Sequence, residues 1–356
     1  MINLTANKGE WSELYALFKI FTDRTIDAAD PNLQPNGETY TFLDIYREDD
    51  PGRLLDYDLR NDGEVRIIDA NGTLVKIVNV REAPIALNEI FAQIKNGGAK
   101  AAFHIDQAYI EMSRFILTKI KASSYHKSDL DARIRDKVVS SSSRVGFSIK
   151  SQVGSPSTLL NASKQTNFQF AIKSFTCAED DYLRDGHVLR QTLADIYNRA
   201  GYLQFTSVNS ETFLSNMRTI DTVLPYILAN MLVNYYRGRG KTMPELCRLC
   251  ANENEFHLDY LEVSYKVKTF LRAIALGMVP GKRWNTYLAA HGGYIVVCED
   301  GRLVCYHLYN DDEFRDFLFN NTKFETPSTS RHDFGKIYQQ GGESYINLNL
   351  QIRFIK

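Results

Sequence analysis

No apolar run in these 356 residues reaches the roughly 18 that a membrane span requires, so a membrane protein is not expected. The opening segment MINLTANKGEW also lacks the basic-then-apolar layout of a secretory signal, which makes a cytoplasmic, bacterial-type intracellular protein the expectation. Charge of one sign is missing as well. With 42 Lys and Arg against 43 Asp and Glu, any contact with nucleic acid has to come from a local cluster and not from a global field. Cysteine is scarce: Cys177, Cys247, Cys250, Cys298 and Cys305 are too few and too scattered for a disulfide scaffold. Cys247 and Cys250 form a C-x-x-C with His257 beyond it, but a second ligand pair at comparable spacing is lacking, and two sulfurs near the core face of a helix is the simpler reading. The histidines show no H-x-x-x-H or H-N-H spacing, which argues against a ββα-metal nuclease or a zinc hydrolase. No G-x-x-x-x-G-K-[ST] occurs, so ATP-driven translocation is not expected.

What is present is a full core. Hydrophobic residues make up 44% of the chain, and an α/β (α+β) fold is expected, a mixed β-sheet flanked by helices with a helical and β C-terminal half. Trp11, Leu14, Tyr15, Leu17, Phe18 and Phe21 form one apolar arc, predicting an amphipathic helix that starts at Asn7 or Ser12 and carries Glu10 and Glu13 one turn apart. Residues 37–80 read as a β-meander with tight reversals at Asp62-Gly63 and Asn71-Gly72. Two helical patterns follow, LNEIFAQIKNG and DQAYIEMSRFILTKIKA, separated by Gly97-Gly98. Core strands are predicted near 129–138 and 144–153, with NFQFAIKSF as a third. Long helical runs come next, then a hairpin turning at Asp300-Gly301, a short helix DDEFRDFLFNN and a final strand YINLNLQIRFIK. The division expected is a core over 1–190 that holds the N-terminal helix and the central strands, and a helical and β region over 191–356, packed as one compact unit.

The chemistry lies in the segment RVGFSIKSQVGSPSTLLNASKQTNF. Alternation along a strand puts Ser148, Lys150 and Gln152 on one face and Phe147, Ile149 and Ser151 on the other. Nineteen residues before Ser148 stands Asp129, at the head of DLDARIRDKVV. Hydrolysis of a phosphodiester needs a carboxylate-bound Mg²⁺ to stabilise charge on phosphate and acidify the attacking water, and a lysine can orient that water. An acid opening one strand beside an x-x-Lys unit on the next suits that task. A solvated polar face of an ordinary antiparallel sheet would show the same alternation.

Four blocks in order, NKGEWSELY, GFSIKSQ with GSPSTLLNAS and TNF, TPSTSRHDFGKIY, and LNLQIRF, resemble the HpaII family of type II restriction endonucleases from end to end. The resemblance implies Mg²⁺-dependent cleavage of double-stranded DNA at CCGG, a PD-(D/E)xK nuclease fold, and a cognate DNA methyltransferase as functional partner. By the same resemblance Asp129 is the metal-binding acid and Lys150 the lysine of the x-x-Lys unit. Ser148 stands where a second acid is expected two residues before Lys150. A hydroxyl is a poor ligand for a hard cation, so the missing charge is expected from Glu10 or Glu13, with Gln152 adding a carbonyl oxygen or holding a water and Asp131 a weaker candidate. Glu10 as a helix-start acid complementing the dipole remains the plainer alternative.

Reading G·C pairs calls for donors to guanine and acceptors for cytosine in the major groove. The segment ETPSTSRHDFGK offers Ser328, Ser330, Arg331, His332 and Lys336 in a stretch with little apolar content. Arg237, Arg239 and Lys241 of the RGRGK run, and Lys282 and Arg283, are candidates for phosphate contacts, which position without reading sequence. A palindromic target favours a homodimer on symmetry grounds, although some enzymes of this kind bind as monomers. A non-specific or repair nuclease on the same fold, or a DNA-binding protein that has lost catalysis, are the alternatives, the latter motivated by Ser148.

Overall fold

The computed structural model describes residues 4–98, 101–121, 128–135, 142–175, 189–287, 292–307 and 311–355. In chain order the elements are α1 (Lys8–Asp23), β1 (Thr25–Ala29), β2 (Pro35–Glu48), β3 (Leu54–Asp58), β4 (Glu64–Asp69), β5 (Leu74–Asn79), α2 (Ala83–Asn96), α3 (Asp106–Arg114), β6 (Leu130–Arg135), β7 (Ser142–Ser151), β8 (Thr158–Leu160), β9 (Asn167–Lys173) and α4 (Leu189–Asn198). They continue with β10 (Tyr202–Val208), α5 (Glu211–Ile220), α6 (Leu224–Tyr236), α7 (Met243–Glu253), α8 (Tyr260–Ala275), β11 (Gly293–Val297), β12 (Leu303–His307), α9 (Asp311–Asn320), β13 (Thr322–Phe324), α10 (Thr329–His332), β14 (Ile337–Gln340), β15 (Glu343–Asn349) and β16 (Ile352–Phe354). Among the described residues no helix is long and apolar enough to cross a membrane.

The chain divides into two units, residues 1–157 with 288–317, and residues 158–287 with 318–355. The boundary expected at residue 190 therefore moves to 157, and the first unit is interrupted. The reason is strand pairing: β11 runs parallel to β7 and β12 parallel to β1, so a hairpin late in the chain belongs to the early sheet.

In the first unit nine strands pair in the order β1-β12-β11-β7-β6-β2-β3-β4-β5. The 14-residue β2 also pairs with β1, so β1, β12, β11, β7, β6 and β2 form a closed ring of pairings. The meander is present as expected, with Gly63 and Gly72 at positive φ in its turns. Asn7, not Ser12, starts α1: its side chain accepts the Glu10 N–H while the Glu10 carboxylate accepts the Asn7 N–H, a complete capping box. The apolar arc of α1 then buries Trp11, Leu14, Phe18 and Phe21 in one cluster with Phe42, Tyr57, Phe147, Ile149, Ile295 and Val297 of the sheet. Each such side chain contributes about 1.5–3 kcal/mol of burial. On the sheet's other side Tyr294 and Tyr306 pack against Phe314 and Phe317 of α9. The second of the two expected helices is shorter than predicted, because Ile116 adopts a left-handed backbone and the N–H groups of Thr118 and Lys119 turn to the Asp49 carboxylate.

In the second unit β10-β9-β15-β14 form one sheet and β13-β16-β8 another. This corrects the reading of NFQFAIKSF: β9 pairs with β10 and β15, not with the strands that carry Asp129 and Lys150. β10 falls between two runs expected to be helical, where no strand was predicted. The long run SETFLSNMRTIDTVLPYILANMLVNYY breaks at Asp221 into α5 and α6, with Pro225 in the first turn of α6, where a proline costs no hydrogen bond. The predicted final strand is two strands, β15 and β16, in different sheets.

Gly293 opens β11 at φ 127°, and a Cβ there would lie 2.0 Å from the Tyr306 carbonyl oxygen. The left-handed backbone alone costs a non-glycine residue about 1–3 kcal/mol. Gly293→Ala is therefore expected to lower the urea midpoint by at least that equivalent. An unchanged midpoint would contradict the close approach of β11 to β12.

Candidate active site

β7 is the centre of the site because its two faces differ so sharply. Val145, Phe147 and Ile149 enter the core, while Ser148 and Lys150 project from the opposite face and are half-buried. Leu130 of β6 lies opposite Phe147, which places Asp129, one residue earlier, beside Ser148. The Asp129 N–H donates to the Phe147 carbonyl at 2.9 Å, extending the ladder by one rung. Its carboxylate Oδ2 accepts from the Ser148 hydroxyl at 3.0 Å and from the Ile149 N–H at 2.9 Å. Ser148 thus orients the carboxylate; it does not replace one. Asp129 Oδ1 accepts no hydrogen bond among the described residues.

On the other flank β11 is in parallel register, Tyr294 with Ser148 and Val296 with Lys150. Tyr294 is fully buried. Burial, reinforced by the negative charge of Asp129, holds its hydroxyl well above the ordinary tyrosine range. A neutral phenol beside Asp129 was not foreseen; the YIVV run predicts a strand but not its neighbour.

Glu13 is a second acid within the charge field of Asp129. Burial, and next the charge of Asp129, push its carboxyl up to about 7, with Lys121 and Lys150 opposing and Glu10 adding to the rise. Lys121 Nζ is 4.0 Å from Glu13 Oε2, at the outer limit of an ion pair. Of the two candidate glutamates, Glu13 is the one whose titration is governed by Asp129 and Lys150, whereas the Glu10 carboxylate caps its own helix. Gln152 sits just past β7, its N–H donating to Val297 O at 2.9 Å. Asp131, on the face of Asp129, is taken by Arg144 at 2.6 Å, and Arg144 in turn covers the Tyr46 ring. Among the described residues no three His, Cys, Asp or Glu side chains gather as a metal cage. Two carboxylates are enough for Mg²⁺, which usually keeps several waters and binds one or two acids together with substrate phosphate. A half-buried pair of mutually repelling carboxylates, one with a raised pKa, fits that requirement.

The cysteine reading stands corrected in nothing: Cys247 and Cys250 are buried in α7, burial raises both thiols, and His257 is exposed. Cys177 lies outside the described residues. In the second unit Ser328 caps the four-residue α10 by accepting the Arg331 N–H, and its hydroxyl is 3.3 Å from that of Ser330. Arg331 and Lys336 are exposed and enter no ion pair among the described residues; His332 is half-buried, its carbonyl accepting from Asn167. The RGRGK run is less open than its composition implies. Arg239 pairs with Glu253 at 2.6 Å, Arg237 lies 3.8 Å from the Tyr197 ring centroid, and Lys241 offers its N–H to Glu245. Arg283 is bonded to the Ser215 hydroxyl.

A family model described as HpaII restriction endonuclease matches residues 7–354. The chain belongs to the HpaII restriction endonuclease family. A curated relative, the type II restriction enzyme HpaII of Haemophilus parainfluenzae, is 38% identical over 359 residues, covering 99% of both chains. As a member of the HpaII family the chain is a type II site-specific deoxyribonuclease. No solved structure matches it. The four family blocks cover α1, β7 with its following turn, α10 and β15–β16, so they touch both units of this HpaII-family fold.

Folded Glu13 holds its proton more tightly than the unfolded chain, where the carboxyl titrates near 4.5. Its stabilising contribution is full below that pH and is lost as pH rises through about 7. With divalent ions chelated, urea melts of the native protein should lose more stability between about pH 5 and about pH 8 than melts of Glu13→Gln. Identical slopes would rule out a buried, protonatable Glu13.

Proposed function

We infer that this restriction endonuclease cleaves double-stranded DNA at CCGG with Mg²⁺, on a PD-(D/E)xK-type nuclease fold, through Asp129, Glu13 and Lys150. The single observation that carries the reading is the pairing of an oriented carboxylate, Asp129, with a proton-holding one, Glu13, in the charge field of Lys150. Asp129 and Glu13 would hold the cation, Glu13 in its carboxylate form, and a cation held there would supply charge stabilisation at the phosphate and a more acidic water. Lys150 orients the water and balances charge on the phosphate, and Gln152 holds a water at the strand end. Ser148 keeps Asp129 in one rotamer, which answers the departure from a second acid at this position.

Sequence is read by the donors of the α10 region, the exposed Ser328, Ser330, Arg331 and Lys336 and the half-buried His332, with Lys241 as a phosphate contact. Arg237 and Arg239 are weaker candidates for DNA contact, since both are engaged within the fold. Glu10 acts through the helix cap. The two-fold symmetry of the target suits a homodimer. The protein works in the cytoplasm beside a cognate DNA methyltransferase that protects the host site.

Lys150→Ala is expected to slow cleavage roughly 10²–10³-fold, the scale of losing one preorganised charge partner, and Asp129→Ala to abolish it, both with DNA binding retained in a mobility shift. Plasmid digestion should give discrete fragments ending at CCGG sites, stop in EDTA and respond to C5-methylation of a site cytosine. Cleavage by Asp129→Ala at the native rate would sink the assignment, a smear would point to a non-specific nuclease, and binding without cutting to a protein that has lost catalysis. Arg331→Ala should relax sequence preference, costing about 1–3 kcal/mol of discrimination, whereas Lys241→Ala should weaken all sequences alike.

A further inference from the structure

The loop Arg237–Lys241, which follows α6, has a cavity on each side. On one side Phe205, Tyr226 and Phe256 stand edge to face in a row, with successive centroids 5.3 Å apart, along a cavity of about 360 Å³. Two of these rings are poorly covered: Tyr226 is 37% and Phe256 40% exposed. Core packing does not account for rings left open to solvent. The same cavity is lined by Arg237, whose guanidinium lies 3.8 Å from the Tyr197 ring centroid, and by Gln204, Asn230 and Glu255, which supply hydrogen-bonding groups. Exposed ring faces and edges with polar groups beside them suit a planar heteroaromatic ring.

On the other side a cavity of about 450 Å³ is lined by Arg190, Lys241, Tyr235 and Thr326. Gly238 has φ 77°, a backbone that favours glycine, and the Arg190 guanidinium lies against it, 2.4 Å from where a Cβ would stand. Arg190 and Lys241 side chains enter no ion pair among the described residues. The acids nearby are already engaged: the Glu245 carboxylate accepts the N–H groups of Lys241 and Thr242, and Glu253 pairs with Arg239. The second cavity is thus a cationic pocket suited to a phosphate.

An aromatic slot and a cationic pocket flanking one five-residue loop match a base and its phosphate. We propose that these cavities take one nucleotide that has left the base stack, with its base among Phe205, Tyr226 and Phe256 and its phosphate beside Arg190 and Lys241. Unstacking costs a few kcal/mol, which stacking on aromatic side chains offsets. The nucleotide comes from the bound duplex, an assignment that rests on the DNA substrate proposed above; a free mononucleotide shares the chemistry.

The test uses the full chain, Ca²⁺ in place of Mg²⁺, and duplexes carrying 2-aminopurine at purine positions or pyrrolocytosine at pyrimidine positions, one at a time through the target and its flanks. Emission is expected to rise severalfold at one position. The rise should disappear in Tyr226→Leu and Phe256→Leu, which keep apolar bulk without the ring, and persist in Tyr226→Phe, with the mobility shift intact in all three. If no position responds but dCMP or dGMP raises the melting temperature of the native protein and not of Tyr226→Leu, the pocket takes a free nucleotide. A mobility shift with no emission change and no mononucleotide binding overturns the proposal. Loss of the shift in the native protein would overturn the DNA reading instead, leaving the mononucleotide titration to decide the pocket.

Discussion

The register of β7 between β6 and β11 is the constraint on which the rest depends. Leu130 faces Phe147 on one side, Ile295 faces Ile149 on the other, and these apolar pairs lock the strand by their burial. A slip of one residue would send Phe147 and Ile149 to the polar face and Ser148 and Lys150 into the core, a loss of several kcal/mol. The positions of Asp129, Ser148, Lys150 and Tyr294 follow from that lock. The polar groups of the candidate site are held in place by apolar residues.

Charge on this sheet is managed in two ways. Asp44 is completely buried, yet it meets Arg133 at 2.5 Å and Arg60 at 3.3 Å, and Asp131 meets Arg144. These acids are answered at contact distance. Glu13 and Asp129 are not: the cation nearest Glu13 is Lys121 at 4.0 Å, and the carboxyl retains its proton to about 7 as a result. Asp56 on the same sheet is also under-compensated, its carboxyl pushed up to about 6 by burial and then by the charges of Asp44 and Asp58, so charge imbalance alone does not mark a site; what sets Glu13 and Asp129 apart is the field of Lys150 beside them.

Local signals carried well from chain to structure. Asn7 and Glu10 announce a capping box, the two Asx-Gly dipeptides announce the meander turns, and the alternation through Phe147, Ser148, Ile149 and Lys150 announces a strand with one chemical face. The approach of Asp129 to the strand of Ser148 and Lys150 was legible for the same reason, since β6 and β7 are consecutive. What could not be read was long-range. Nothing in YIVV says that it lies along β7, and nothing in NFQFAIK says that it joins β15 and not β7, because apolar strands are interchangeable until the topology is known. The choice between Glu10 and Glu13 also needed coordinates: the residues are one helical turn apart, and only the engagement of Glu10 with Asn7 separates them. Composition overstated the cations of the RGRGK loop, two of which are spent on Glu253 and Tyr197.

The interruption of the first unit bears on how such an enzyme is made. α1, β6 and β7 emerge early in synthesis, but β11, which flanks Lys150 and brings Tyr294 to Asp129, emerges only after the second unit's helices. Pairing between segments so far apart in sequence is slow to form and cannot begin before both exist. A nascent chain therefore holds Asp129 and Lys150 without the strand that flanks them, and the nine-stranded sheet closes only once residues 293–307 have been made.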